Sequence, residues 1–187
     1  MPATTSQTVG PFFHLGCAAL YCTELAGPGV SGERVRIQGR VLDGDGQAVP
    51  DAILEVWQAD AAGRYAQQAG LDTKTGEHTF FGFGRIPTEA DGNFQFSTIK
   101  PGSVSAPDGT PQAPHIVVSV FARGLLTRLV TRIYFSEEPL NDSDFVLGRV
   151  EAGRRETLMA KPINGRKEMR EWNVILQGPD ETVFFDL

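Results

Sequence analysis

The sequence predicts an all-β domain, an antiparallel β-sandwich, and three observations carry that expectation. Apolar residues recur with period two in several short runs, helical periodicity is weak, and Gly- and Pro-rich turns separate the runs at short intervals. With 187 residues the chain is long enough for one domain with a substantial core, so a single domain over 1–187 is expected.

Residues 1–33 contain Pro2, Pro11, Gly27, Pro28 and Gly29 and read as an extended N-terminal arm that packs on something else, rather than as part of the sheets. "RVRIQGRVL" (34–42) places Val35, Ile37 and Val41 on one face and ends at the turn signal "DGDG". "AILEVWQAD" (52–60) follows as a strand, and "AAGRYA" (61–66) as a loop or strand exit. In "ADGNFQFSTIKPG" (90–102) a strand between two turns points Phe94 and Phe96 the same way. "QAPHIVVSV" (112–120) reads as a buried strand with His115, Val117 and Ser119 on one face and Ile116, Val118 and Val120 on the other.

"RGLLTRLVTRIYF" (123–135) continues the pattern, with Leu125, Leu129, Ile133 and Phe135 on one face. Arg128, Val130, Arg132 and Tyr134 share the other, which is expected to be exposed or an interface. "NDSDFVLGRV" (141–150) predicts a short helix or irregular loop, capped by Asn141 or Ser143. "REWNVILQG" (170–178) alternates through Trp172, Val174 and Leu176, and "TVFFDL" (182–187) closes the chain.

A net charge of −6 gives no electrostatic footprint for nucleic acid and disfavours an anionic membrane surface. No apolar run approaches the roughly 20 residues of a membrane span. The N-terminus lacks a basic start and apolar centre, so a cytoplasmic protein is expected, with Cys17 and Cys22 as free thiols in packing roles.

Only His14, His78 and His115 are available for imidazole chemistry, and no nucleophile elbow, phosphate loop or zinc-protease motif is present. Tyr65 and His115 remain as candidates. A phenolate is a hard anionic ligand for Fe(III) and an imidazole a borderline one, but two such groups do not complete an iron site. On residue type alone the favoured reading is an ordinary loop aromatic and a core or interface histidine. Arg123 follows an apolar strand, where a guanidinium fork can grip a carboxylate or simply sit in solvent.

Taken together and in order, "SQTVGPFF", "LEVWQADAAGRY", "IKPG", "APHI", "SVFARG" and "TRIYF" resemble the intradiol ring-cleaving dioxygenases, over nearly the whole chain. The resemblance implies a non-haem Fe(III) held by two tyrosines and two histidines on a β-sandwich. Tyr65 matches the first tyrosine and His115 the first histidine, whereas Val104 and Val117 stand where the second of each belongs. Gln112 takes the place of an arginine three residues before the histidine. The chain therefore looks like the iron-free α type of a two-chain member, with Fe(III) in a partner β chain and not here.

In such pairs the α arm and the arginine of "FARG" reach the cavity over the partner's iron. Carried over, Thr8, Gly10, Pro11 and Arg123 form part of the substrate pocket wall, while Phe12 replaces a tyrosine found in related chains. The implied reaction inserts oxygen between the hydroxylated carbons of protocatechuate, giving 3-carboxy-cis,cis-muconate. The implied assembly is an αβ protomer in a larger oligomer, with protocatechuate at the subunit interface. Two rivals stand beside this reading: a lone dioxygenase with an altered ligand set, in which His14 or Tyr21 serves, and a non-enzymatic sandwich binding module.

Overall fold

The structure, a computed structural model, describes residues 4–66 and 80–186. His78 and Leu187 lie outside them. The strands are β1 Arg34–Leu42, β2 Ile53–Trp57, β3 Phe83–Pro87, β4 Asn93–Ile99, β5 Val104–Ser105, β6 Pro111–Gln112, β7 His115–Phe121, β8 Leu129–Phe135, β9 Met159–Ile163, β10 Arg166–Glu171 and β11 Val174–Ile175. Among the described residues, two short helices, α1 Pro11–Cys17 and α2 Phe145–Gly148, and three 3-10 turns complete the elements.

One layer runs β3-β2-β7-β8 with every pair antiparallel. The other is built on β1, which pairs antiparallel with β4 and parallel with β10 and β11. β9 joins the layers, parallel to β8 through Tyr134–Met159 and Phe135–Ala160 and antiparallel to β10. The sandwich is thus mixed rather than purely antiparallel. Between the layers lie Val35, Ile37, Phe94 and Phe96 from one side and Leu54, Val56, Ile116, Val118, Val120 and Ile133 from the other. This is the alternation expected of β1, β4 and β7, realised as burial.

Four features depart from the sequence expectations. The arm is only partly extended: Pro11–Cys17 is helical, opened by Pro11, whose fixed φ suits the first turn. Farther on, Cys22 bridges Arg85, Glu24 bridges Ser97 and Ala26 bridges Phe80. Residues 22–26 therefore belong to the chain's own sheets, covering the edge at β3 that would otherwise present unpaired backbone. The strand expected at 123–135 starts only at Leu129, because Gly124 turns the chain with φ +92°. Val130 and Tyr134 are buried, not exposed. Phe185 N–H bonds Val130 O at 2.7 Å as the C-terminal segment crosses β8, and Tyr134 packs with Leu147, Val150 and Leu158. Helix α2 is capped by Asp144, whose Oδ1 accepts from Leu147 N–H at 2.8 Å, rather than by Asn141 or Ser143.

β3 and β9 were not foreseen. Each is five residues long, contains a proline and lacks a clear period-two alternation, and tertiary pairing defines both. The hairpin β9–β10 turns on Asn164 and Gly165, both at positive φ, the backbone an Asn-Gly pair adopts readily. Cys17 and Cys22 are free thiols, as expected.

Where the layers join, Arg170 is completely buried and donates from both Nη atoms to the Glu137 carboxylate. Its guanidinium also lies 5.0 Å from the Phe135 ring centroid. This pair holds the Glu137 carboxyl down at about 2, against an ordinary 4.5. Because the folded value is the lower one, the carboxylate contributes stability above pH 4.5 that is lost as pH falls toward 2. Glu137→Gln leaves a buried cation without its counter-charge and should cost about 3 kcal/mol at neutral pH. It should also flatten the pH dependence of denaturant unfolding below pH 4.5, and an unchanged profile would contradict this account.

Candidate functional site

Two places carry the residues singled out from the sequence, and they lie at opposite ends of β7. Its seven residues span roughly 20 Å at the strand rise.

At the first end, four positions converge. The Gly-Arg-Tyr loop lies backbone to backbone on the loop after Lys100-Pro101. A Cβ on Gly63 would fall 2.0 Å from Ser103 O, and one on Gly102 2.5 Å from Ala61 O. Glycine at both positions is what lets these loops touch. Tyr65 then stacks on Trp57 with ring centroids 4.0 Å apart, and Trp57 pairs across the sheet with Val117. Val104 faces Gln112 across the small β5–β6 ladder, and β7 begins three residues after Gln112. Tyr65, Val104, His115 and Val117 are thus gathered around one region by loops, ladder and strand.

His115 is 6% exposed, and its Nδ1 lies 2.7 Å from Ala113 O. Burial first, and then the Arg132 cation, lower its pKa to about 4. Burial raises the Tyr65 phenol above its usual range, with Arg132 opposing. Tyr134, paired with His115 across β7 and β8, is pushed up to about 12, again chiefly by burial.

These residues do not fit an iron ion. Val104 and Val117 have no donor atoms, and one half-buried phenol and one imidazole leave the set two ligands short. Among the described residues there is no group of three or more His, Cys, Asp and Glu side chains able to hold a metal. His14 and Tyr21 pair with each other instead of serving as substitutes: Tyr21 Oη donates to His14 O at 2.7 Å, and their rings are 5.5 Å apart.

At the other end of β7, residues far apart in sequence meet. Gly124 N–H donates to Thr8 Oγ1 at 2.7 Å, binding the arm to the turn that carries Arg123. The Phe13 and Phe121 rings lie 5.6 Å apart beside it, and Gln7, Val9, Ala122, Leu125 and Leu126 line a shallow groove at the same place. Gly10 is exposed, with open space where a Cβ would stand. Arg123, its side chain 57% exposed, is tied to Asp51 with Nε–Oδ2 at 3.0 Å. Sequence reasoning passed over Asp51. Its positive φ of 58°, uncommon for a residue other than glycine, is a feature only the folded backbone displays.

Comparison with known proteins places these features in a family. A family profile described as Dioxygenase matches residues 18–178. The protocatechuate 3,4-dioxygenase alpha chain of Burkholderia cepacia is 43% identical, with 98% of this chain and 97% of that protein covered. The beta chain from the same organism is 38% identical over 81% of this chain and 67% of its own length. Among solved structures, the dioxygenase domain of a carbohydrate-binding fusion protein from Streptomyces sp. SirexAA-E superposes with a TM-score of 0.64. It is 25% identical, with 84% of this chain and 88% of that one covered.

Since His115 is buried neutral, its folded pKa lies below the ordinary 6.5 and the unfolded chain takes up the proton first. Stability should therefore contain a component that is complete above pH 6.5 and falls away between pH 6.5 and about 4. His115→Asn should remove that component. Thermal unfolding midpoints across this range, identical in profile for both proteins, would refute the assignment.

Proposed function

Because the chain belongs to the intradiol dioxygenase family, we propose that it is the iron-free α subunit of a protocatechuate 3,4-dioxygenase, paired with an iron-holding β subunit. One observation carries the reading: the Thr8–Gly124 hydrogen bond unites the arm and the "FARG" turn, 116 residues apart, on one edge. An isolated core histidine or a generic binding module gives no reason for that union.

In this reading Thr8, Gly10, Pro11 and Arg123 complete the wall of the partner's pocket. Gly10 lets backbone approach the substrate ring, and Arg123 adds positive charge near an anionic substrate. The contribution is positioning and exclusion of water rather than bond making. Fe(III) and the cleavage of protocatechuate to 3-carboxy-cis,cis-muconate belong to the β subunit, with the substrate at the subunit interface.

The exposed apolar residues support a partner on this side. Phe12 is 82% exposed, and Leu15, Leu20 and Leu126 are exposed as well, side chains of the kind a subunit interface covers. Higher oligomers of the αβ protomer in the cytoplasm complete the proposal; among the described residues no helix is long and apolar enough to cross a membrane.

The decisive experiment is purification of the chain alone and co-expressed with its β partner. The lone chain should hold no iron and cleave nothing, and the pair should be active with iron. In the complex, Arg123→Ala should lower kcat/KM for protocatechuate about tenfold with iron content unchanged. Normal turnover by that variant would remove Arg123 from the pocket wall, and ring cleavage by the lone chain would reject the subunit reading.

A further inference from the structure

The Arg123 guanidinium is held at one atom only. Its Nε donates to Asp51 Oδ1 at 3.3 Å and lies 3.0 Å from Oδ2, and among the described residues neither Nη atom has a hydrogen-bond partner. Strand register brings the two residues together. Ile53 on β2 pairs with Phe121 on β7, and two positions beyond that pair stand Asp51 and Arg123. Asp51 is the better anchored of the two, its side chain 22% exposed against 57% for Arg123. Buried Thr88 clamps the backbone on both sides of it. Thr88 Oγ1 donates to Val49 O at 3.0 Å and accepts from Ala52 N–H at 2.9 Å, while Thr88 N–H donates to Ala52 O at 2.9 Å. Within that clamp Asp51 takes φ +58°, in the left-handed region that Asp and Asn enter more readily than other residues with a side chain. Backbone outliers of this kind persist where the surroundings fix them, and they gather at functional sites.

We propose that Asp51 is a positioning residue for the substrate pocket wall: by holding Arg123 at Nε, it leaves the Nη1–Nη2 edge of the guanidinium for the carboxylate of the substrate bound in the partner. This rests on the reading of Arg123 as part of that wall. A guanidinium can meet a carboxylate along an edge that includes Nε or along the edge of its two Nη atoms. With Nε engaged by Asp51, only the second edge remains for a ligand. A free arginine would also lose rotamer freedom when it gripped the substrate, and Asp51 takes that loss in advance. The backbone of the same turn is fixed separately, by the bond from Gly124 N–H to Thr8 Oγ1. The sign of the effect separates this role from simple neutralisation of the cation. A carboxylate that only cancelled charge would weaken the hold on an anion, so its removal would tighten binding. A carboxylate that aims the fork strengthens the hold, so its removal loosens binding.

The test uses the full-length chain in complex with its iron-holding β partner and follows steady-state cleavage of protocatechuate. Asp51→Gly removes the carboxylate and adopts the positive φ without steric cost, so the turn is kept. Asp51→Asn tolerates the same backbone and keeps one oxygen able to accept from Nε. Asp51→Gly should raise KM about fivefold with kcat and iron content unchanged, and Asp51→Asn should raise it only about twofold. Added to Arg123→Ala, Asp51→Gly should change nothing further, because it acts only through that side chain. A lowered or unchanged KM in Asp51→Gly, while Arg123→Ala is impaired, would overturn the proposal and leave the pocket-wall reading standing. An equal rise in KM with and without the Arg123 side chain would overturn it as well. Normal turnover by Arg123→Ala would instead remove the pocket-wall reading, and this proposal with it.

Discussion

β7 has Ile116, Val118 and Val120 wholly buried against the opposite layer, and that burial leaves its register no freedom. A slip of one residue would turn three aliphatic side chains outward, at a cost on the order of 6 kcal/mol. With the inner face settled, the outer face is settled too: His115 and Val117 must look away from the core, toward Trp57 on one neighbour and Arg132 and Tyr134 on the other. The same strand delivers the chain to the Arg123 turn at its far end. Both candidate regions inherit their geometry from this one buried strand.

What surrounds β7 is assembled by close backbone approach as much as by side-chain packing. Gly63 and Gly102 allow two loops to touch, which brings Tyr65 over Trp57 and Val104 beside Gln112. Tyr65, Val104, His115 and Val117 are thereby brought to one side of the sheet, with two donor side chains among the four. A cation on β8 and its chain of acceptors occupy the surroundings. The buried polar groups are bonded in place, His115 to Ala113 O, Arg132 to Gln112 and Tyr134, and Tyr134 to Asp144, as buried polar groups must be.

The separation of the two regions bears on how an α-type chain serves its partner. The remnant pocket lies roughly 20 Å along β7 from the edge where the arm meets the "FARG" turn. The proposed contribution to catalysis comes entirely from that edge.

Much was legible in the residues alone. Period-two alternation located β1, β4 and β7 and the side chains that share a face on each, because a pleated strand leaves no other arrangement for alternating apolar side chains. The ordered motifs singled out Tyr65, His115, Thr8 and Arg123 as candidates, and valines at 104 and 117 supply no donors whatever the fold. Tertiary structure decided the rest. β3 and β9 exist because neighbouring strands pair with them. Val130 and Tyr134 are buried because the C-terminal segment and the turns around α2 cover them. Arg123 meets Asp51, and Arg132 meets Gln112 and Tyr134, through strand registers that no local pattern records. Side-chain chemistry and its local period are properties of the chain, whereas which distant charge stands opposite which ring is set only when the sheets close.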